Sequence, residues 1–142
     1  MAAGKVIVLE DNFNAVRNAV TGSMLLDAAM AGGNVIEGHA KINASKGGTE
    51  HLNIRTGALV NSINTSKGKK TKTYAEADIG TNIIYARIHE LGGIIKGAFG
   101  MVGMLVHMPA RPYLRPAIDE NEKDIRGAVE AEIWRNLNKA TR

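Results

Sequence analysis

The chain contains no cysteine. That absence excludes disulfides, thiolate metal sites and cysteine nucleophiles together, and it is compatible with a reducing cytoplasm. Aromatic residues are scarce, at 4% of 142 positions, so the core is expected to be aliphatic and modest, with some apolar surface left for burial in an assembly. Proline is confined to one stretch, at Pro109, Pro112 and Pro116. No apolar run has the length of a transmembrane helix, which argues against a membrane partner. The run Val6-Ile7-Val8-Leu9 near the start is too short for a signal peptide and has no credible cleavage site after it. The length suits a single domain spanning residues 1–142.

Enzyme motifs fail residue by residue. His89-Glu90 begins a zinc-protease pattern, but Leu91-Gly92-Gly93 follows with no second histidine one turn later. Gly68-Lys69-Lys70-Thr71 resembles the end of a phosphate loop, yet Lys70 fills the Ser/Thr position and Ile63 stands where the first glycine is needed. Gly97, Gly100 and Gly103 lack dinucleotide-loop spacing, and no serine sits in a nucleophile-elbow context. His39, His51, His89 and His107 are dispersed, which suits ordinary surface or helix-face positions better than a metal site. Hence no catalytic residue, metal ligand or cofactor site is assigned.

The net charge is +4 with a pI near 9.5, which permits attraction to nucleic acid without locating a site. Lys67, Lys69, Lys70 and Lys72 are clustered, but no aromatic residue interleaves with them to stack on bases. A solvated hairpin tip is the favoured reading, with nucleic-acid contact at most non-specific.

Periodicity gives an α+β fold: a small antiparallel β-sheet packed with a long N-terminal helix, a short middle helix and a C-terminal helix. Val6 to Leu9 suits a short strand. Phe13, Val16, Val20 and Met24 then recur at helical spacing behind a cap at Asp11 or Asn12, and Val35, Ile36, His39 and Ile42 resume the period after Gly32-Gly33, where a kink or break is expected. Thr56 caps a short helical turn leading to a strand near Ser62 to Ser66. Thr73 to Gly80 alternates Ala75, Ala77 and Ile79 on one face with Tyr74, Glu76 and Asp78 on the other, forming a hairpin across the lysine-rich loop. Thr81 or Asn82 caps a middle helix from about Ile83 to Leu91, with Ile84, Ile88 and Leu91 on one face and Gly92 as its stop. The last helix begins near Pro116, with Asp119, Glu120 and Glu122 at its positive end, Lys139 and Arg142 at its negative end, and a buried stripe of Ile118, Ile125, Val129, Ile133 and Leu137.

Two segments stand out. Residues 94–107 combine regularly spaced glycines with Phe99, Met101, Met104 and aliphatic neighbours, which reads as a flexible apolar loop in need of cover from a partner. Met108-Pro109-Ala110-Arg111-Pro112-Tyr113-Leu114-Arg115-Pro116 reads as a stiff extended strap, since each proline fixes its own φ and pushes the preceding residue towards extended geometry. Arg111 on this strap and Glu90 at the end of the middle helix are suited to a charge-assisted pair that clamps strap to helix. Tyr85 and Tyr113 suit amphipathic packing at the edge of the core. Leu114 and Arg115 are candidates for a docking surface, although for Arg115 plain solvation is an equal alternative.

Three separated blocks resemble the tail-completion, or neck, proteins of tailed bacteriophages. They are Arg55-Thr56-Gly57-Ala58-Leu59-Val60-Asn61-Ser62-Ile63, then Ile79-Gly80-Thr81-Asn82 running into Tyr85-Ala86-Arg87-Ile88-His89-Glu90-Leu91-Gly92, then Pro109-Ala110-Arg111-Pro112-Tyr113-Leu114-Arg115-Pro116, in the family's order. Leu91 departs from the pattern, since an aromatic is common there. The resemblance implies a non-enzymatic virion protein, made in the host cytoplasm and placed at the head–tail junction. It implies a ring of this chain, six copies by the symmetry of the tail. Neighbouring neck, head-completion and tail-terminator or tail-tube proteins would be its partners. A basic nucleic-acid-associated protein of DNA packaging is the alternative, and salt dependence separates the two, because phosphate binding weakens steeply as salt rises.

Overall fold

A computed structural model describes residues 17, 20–49, 51–53, 56–97, 100 and 102–140. The expected strand at Val6 to Leu9, the caps at Asp11 and Asn12, and Phe13, Val16, Arg55, Phe99, Met101 and Arg142 lie outside the described residues.

The architecture is α+β and is organised around one helix, α1 (Gly22–Ser45). Thr21 is its N-cap, with extended backbone and a side-chain oxygen accepting from Met24 N at 3.4 Å. Hence Val20 precedes the helix and is not part of it. No break occurs at Gly32-Gly33. Both glycines are buried, because each marks a place where another element comes too close for a side chain. A Cβ on Gly32 would lie 2.8 Å from Val129 Cγ2, and one on Gly33 would lie 2.6 Å from Thr65 Cγ2. Each glycine costs a helix interior about 1 kcal/mol relative to alanine, so the close crossings offset an intrinsic loss.

The chain then passes through α2 (Ala58–Ser62) into an antiparallel hairpin of β1 (Asn64–Lys70) and β2 (Ala75–Gly80). Thr56 Oγ1 accepts from Ala58 N at 3.3 Å, so the threonine does serve the short helix, with Gly57 at φ 71° forming the entry. The register pairs Asn64 with Gly80 and Thr65 with Ile79, and it shifts between Lys67 and Lys70. Ala77 and Ile79 face α1 at Gly33, as their alternation predicts. The lysines sit elsewhere than expected. Lys67, Lys69 and Lys70 belong to β1 itself and only Lys72 lies in the turn, although all are exposed.

The middle helix, α3 (Ala86–Leu91), starts later than its sequence pattern suggests. Tyr85 is its N-cap without a side-chain bond, while Thr81 Oγ1 accepts from Ile83 N at 3.1 Å in the preceding turn. Ile84 is 98% exposed and Leu91 65% exposed, so the expected apolar face holds only at Ile88. Gly92 ends the helix at φ 70°, a conformation that L side chains rarely adopt.

Residues 94–107 are not a loop throughout. Their arms form a second antiparallel hairpin, β3 (Gly93–Lys96) with β4 (Leu105–Met108), in which Ile94 opposes His107 and Ile95 opposes Val106. The glycines at 97, 100 and 103 all have positive φ and belong to the connection between the strands. The last helix is divided into α4 (Leu114–Asp119) and α5 (Glu122–Ala140). Asp119 and Glu120 therefore close α4, while Glu122 and Asp124 occupy the first turn of α5. Ile125, Val129, Ile133 and Leu137 are half-buried along α5, whereas Ile118 is exposed.

The core is small and alanine-rich, as the shortage of aromatics requires. Ala40, Ala44, Leu52, Ile63, Tyr113 and Ala117 are buried together, with Ile36, Leu59, Val60 and Leu114 packed around them. α1 thus contacts the β1–β2 hairpin, α4 and α5. No described helix is long and apolar enough to cross a membrane.

Candidate functional site

The strap between β4 and α4 is anchored from two sides. Arg111 N donates to His89 O at 2.7 Å, which ties the strap to the last turn of α3. Glu90 then reaches across. Its Oε2 accepts from Tyr113 N at 2.8 Å and Leu114 N at 3.0 Å, and its Oε1 accepts from Arg115 N at 2.9 Å. From the opposite side, Asn43 Nδ2 donates to Tyr113 O at 3.2 Å. Both backbone polar groups of the buried Tyr113 are thereby satisfied, which is what permits its ring to enter the core. Burial and the nearby Glu90 carboxylate push the Tyr113 hydroxyl above its usual pKa.

The charge pair predicted between Glu90 and Arg111 is not formed; Glu90 holds the strap through its backbone instead. Among the described residues Glu90 forms no ion pair with Arg111, because its carboxylate is taken up by the first backbone N–H groups of α4. Asn43 was not singled out by sequence reasoning. Its signal was a lone amide on the apolar Ala40, Asn43, Ala44 edge of α1, where a buried polar side chain requires a partner.

Arg111 and His89 have a different fate. Among the described residues, Arg111 Nε and His89 Nδ1 are both buried without a hydrogen-bond partner. Leaving such a group unpaired typically costs about 1–3 kcal/mol. Desolvation, then the adjacent Arg111 charge, lowers the His89 pKa, which keeps the ring neutral at pH 7. Tyr85 stacks edge-on against His89 at a centroid distance of 5.7 Å and is 45% exposed, so it is not the core-edge residue expected. These side chains line an open cleft of about 660 Å³ whose other wall includes Leu52, Leu59 and Val60.

The remaining candidates divide by location. Tyr113 and Leu114 face the core, and Arg115 is exposed beside them. Leu114 is therefore a packing residue more than a free docking group. Met104 is 40% exposed on the second hairpin, away from the strap's anchors. The second sheet leaves one face open: Ile94 is 59% exposed and Leu105 63%, with Lys96 and His107 beside them, and Val102 in the connection is fully exposed. Lys67, Lys69, Lys70 and Lys72 are exposed on the first hairpin and are not brought to the strap. Among the described residues no group of histidine, aspartate and glutamate side chains is placed to hold a metal ion, and His39 meets only Asp124, at 3.8 Å.

The chain belongs to the phage virion morphogenesis family, whose model matches residues 36–133. The matched segment takes in the C-terminal part of α1 and everything from there through the strap and into α5, and it gives the protein a part in building the phage particle. It is also 33% identical over 82 residues to an uncharacterized protein of Methanocaldococcus jannaschii, an alignment covering 58% of this chain and 53% of that protein. The chain thus spans about half the length of the curated relative it matches. No solved structure matches it.

Proposed function

We propose that the protein is a non-enzymatic tail-completion or neck component, assembling as a ring at the head–tail junction and joining tail to head. The observation that carries this reading is the open face of the β3–β4 hairpin. A two-stranded hairpin is marginal by itself in water, and this one exposes Ile94, Val102 and Leu105. Such a surface is stabilised when a neighbouring protein covers it. The strap supplies a rigid base, since the hairpin leaves α3 at Gly92 and returns into a segment held by His89, Glu90 and Asn43. The order of the sequence blocks supports the junction as the location, and tail symmetry supports six copies. Adjacent head-completion and tail-terminator or tail-tube proteins would cover the two faces of the ring.

The test is to make particles with Val102→Asp and Leu105→Asp together and to count joined and unjoined heads and tails by negative staining. Filled heads and complete tails that fail to join are expected. Wild-type joining removes the hairpin from the proposal. Empty heads, together with DNA binding that weakens steeply with salt and needs Lys67, Lys69, Lys70 and Lys72, would replace it with a packaging role.

A further inference from the structure

The two hairpins treat their edges differently. On the first, Thr65 N donates to Glu37 Oε2 at 2.7 Å, the register shifts between Lys67 and Lys70, and Lys67, Lys69 and Lys70 stand exposed along β1. A covered edge, an irregular register and exposed lysines are devices that keep a strand from pairing with another chain. The second hairpin has an unbroken register and a single lysine, Lys96. Gly97 N donates to Met104 O at 2.9 Å. Bonded pairs alternate along an antiparallel ladder, so Ile95 with Val106 and Gly93 with Met108 are the pairs that exchange bonds inside the hairpin. Ile94 and Lys96 on β3, and Leu105 and His107 on β4, therefore turn their N–H and C=O groups outward. Among the described residues, none of these groups has a hydrogen-bond partner outside the hairpin. The two edges also match each other: both strands are four residues long, and the outward groups recur at the same spacing.

We propose that the β3 edge of one copy pairs with the β4 edge of a second copy, antiparallel, so that Ile94 and Lys96 exchange backbone bonds with His107 and Leu105 of the next chain. The inference rests on the ring reading above and deepens it. Because β3 and β4 are different surfaces, the contact is heterologous; it repeats from copy to copy, and closure of the ring leaves no edge open. The register is the one the hairpin already uses, which sets Ile94 beside His107 and Lys96 beside Leu105 and brings no two lysines together. A pair of strands alone is marginal in water, whereas three or more with an apolar face are stable, so each hairpin is stabilised by its neighbours. Ile94 and Leu105 of adjacent copies then lie diagonally on one face and partly cover each other.

Proline tests the edges one at a time, because at an outward position it removes an N–H that the hairpin itself does not use. Lys96→Pro blocks the β3 edge and His107→Pro blocks the β4 edge, each in the full-length chain. Native mass spectrometry is expected to show rings for wild type and monomers for either variant alone. Mixing the two variants should give one-to-one dimers, since each supplies the edge that the other lacks. Rings from both variants alone overturn the edge pairing and leave the ring reading standing. Variants that neither form rings nor pair on mixing overturn it too. Hydrogen exchange on wild type gives a measurement that needs no substitution: the amides of Ile94, Lys96, Leu105 and His107 should exchange about tenfold more slowly in rings than in diluted monomer, while those of Ile95 and Val106 are protected in both. Equal exchange of the four in the two states overturns the pairing. A wild-type chain that stays monomeric also overturns it, and the count of joined particles described above then judges the junction reading separately.

Discussion

Replacing Glu90 is expected to damage this fold more than its position at the end of a short helix suggests. The carboxylate accepts three backbone bonds, at 2.8, 3.0 and 2.9 Å, from Tyr113, Leu114 and Arg115. A hydrogen bond to a charged group contributes about 1.5–3 kcal/mol, and a donor left unpaired in a partly buried place costs about 1–3 kcal/mol. Arg115 N lies on an exposed residue, where water takes over, so two of the three bonds carry the loss. Glu90→Ala should therefore destabilise by ~3 kcal/mol, less than the sum of the separate bonds because they share one carboxylate. For a domain of this length that lowers Tm by roughly 10 °C. Glu90→Gln keeps one accepting oxygen and turns an N–H₂ towards another N–H, so about half that loss is expected.

Urea denaturation monitored by circular dichroism measures both variants, with Arg111→Met as the contrast. Reading opposite charges as a pair would make Arg111 the other half of the clamp. Among the described residues Arg111 Nε has no partner, so Arg111→Met, which keeps the aliphatic stem, should fall within ~1 kcal/mol of wild type or be more stable. Glu90→Ala within ~0.5 kcal/mol of wild type would refute the capping argument, and a loss at Arg111→Met equal to that at Glu90→Ala would restore the ion pair.

Gly32→Val places branched atoms where even a Cβ would lie 2.8 Å from Val129 Cγ2, so an overpacking loss of about 1–3 kcal/mol is expected in chemical denaturation. Gly38→Ala, on the same helix with open space around it, should gain about 0.5–1 kcal/mol. Because the His89 pKa is lowered from 6.5 in the fold, the unfolded chain takes up the proton first as pH falls. Its contribution is then full above about pH 6.5 and is lost as pH drops through the lowered value, and His89→Gln should remove that part of the stability slope below about pH 6.5.

The fold was legible wherever a residue's role is local. The period-two alternation put Ala77 and Ile79 on one face, and that face meets α1 at Gly33, while Gly92 marked the helix stop and ends α3 at positive φ. Gly32-Gly33 misled for a physical reason. A glycine pair weakens a helix and permits close approach of another element, and only the tertiary neighbours Val129 and Thr65 decide which effect governs. The β3–β4 pairing escaped notice because its strands are short and the glycines between them also read as flexibility. The division between α4 and α5 carries no glycine or proline. It is held by Asn121 Nδ2 donating to Ala117 O at 3.1 Å, a local bond that competes with continuing the helix.

The candidate site shows the same boundary in sharper form. Glu90 and Arg111 were both recognisable as unusual, yet side-chain charge is written in the sequence whereas backbone N–H groups are common to every residue except proline. In this strap the backbone was the stronger claimant. Pro109, Pro112 and Pro116 lack the N–H, which leaves the intervening residues as the donors. Arg111, Tyr113, Leu114 and Arg115 are the ones bound, the first to His89 O and the other three to Glu90. The prolines thus do more than stiffen the strap: they limit which groups the clamp can hold, and they leave the Arg111 side chain, whose own N–H is already used, turned into the cleft. The same anchored strap also fixes the return of the β3–β4 hairpin, whose exposed face carries Ile94 and Leu105. The ring proposed above would cover the open hairpin face, and the anchored strap is what would hold that face in place.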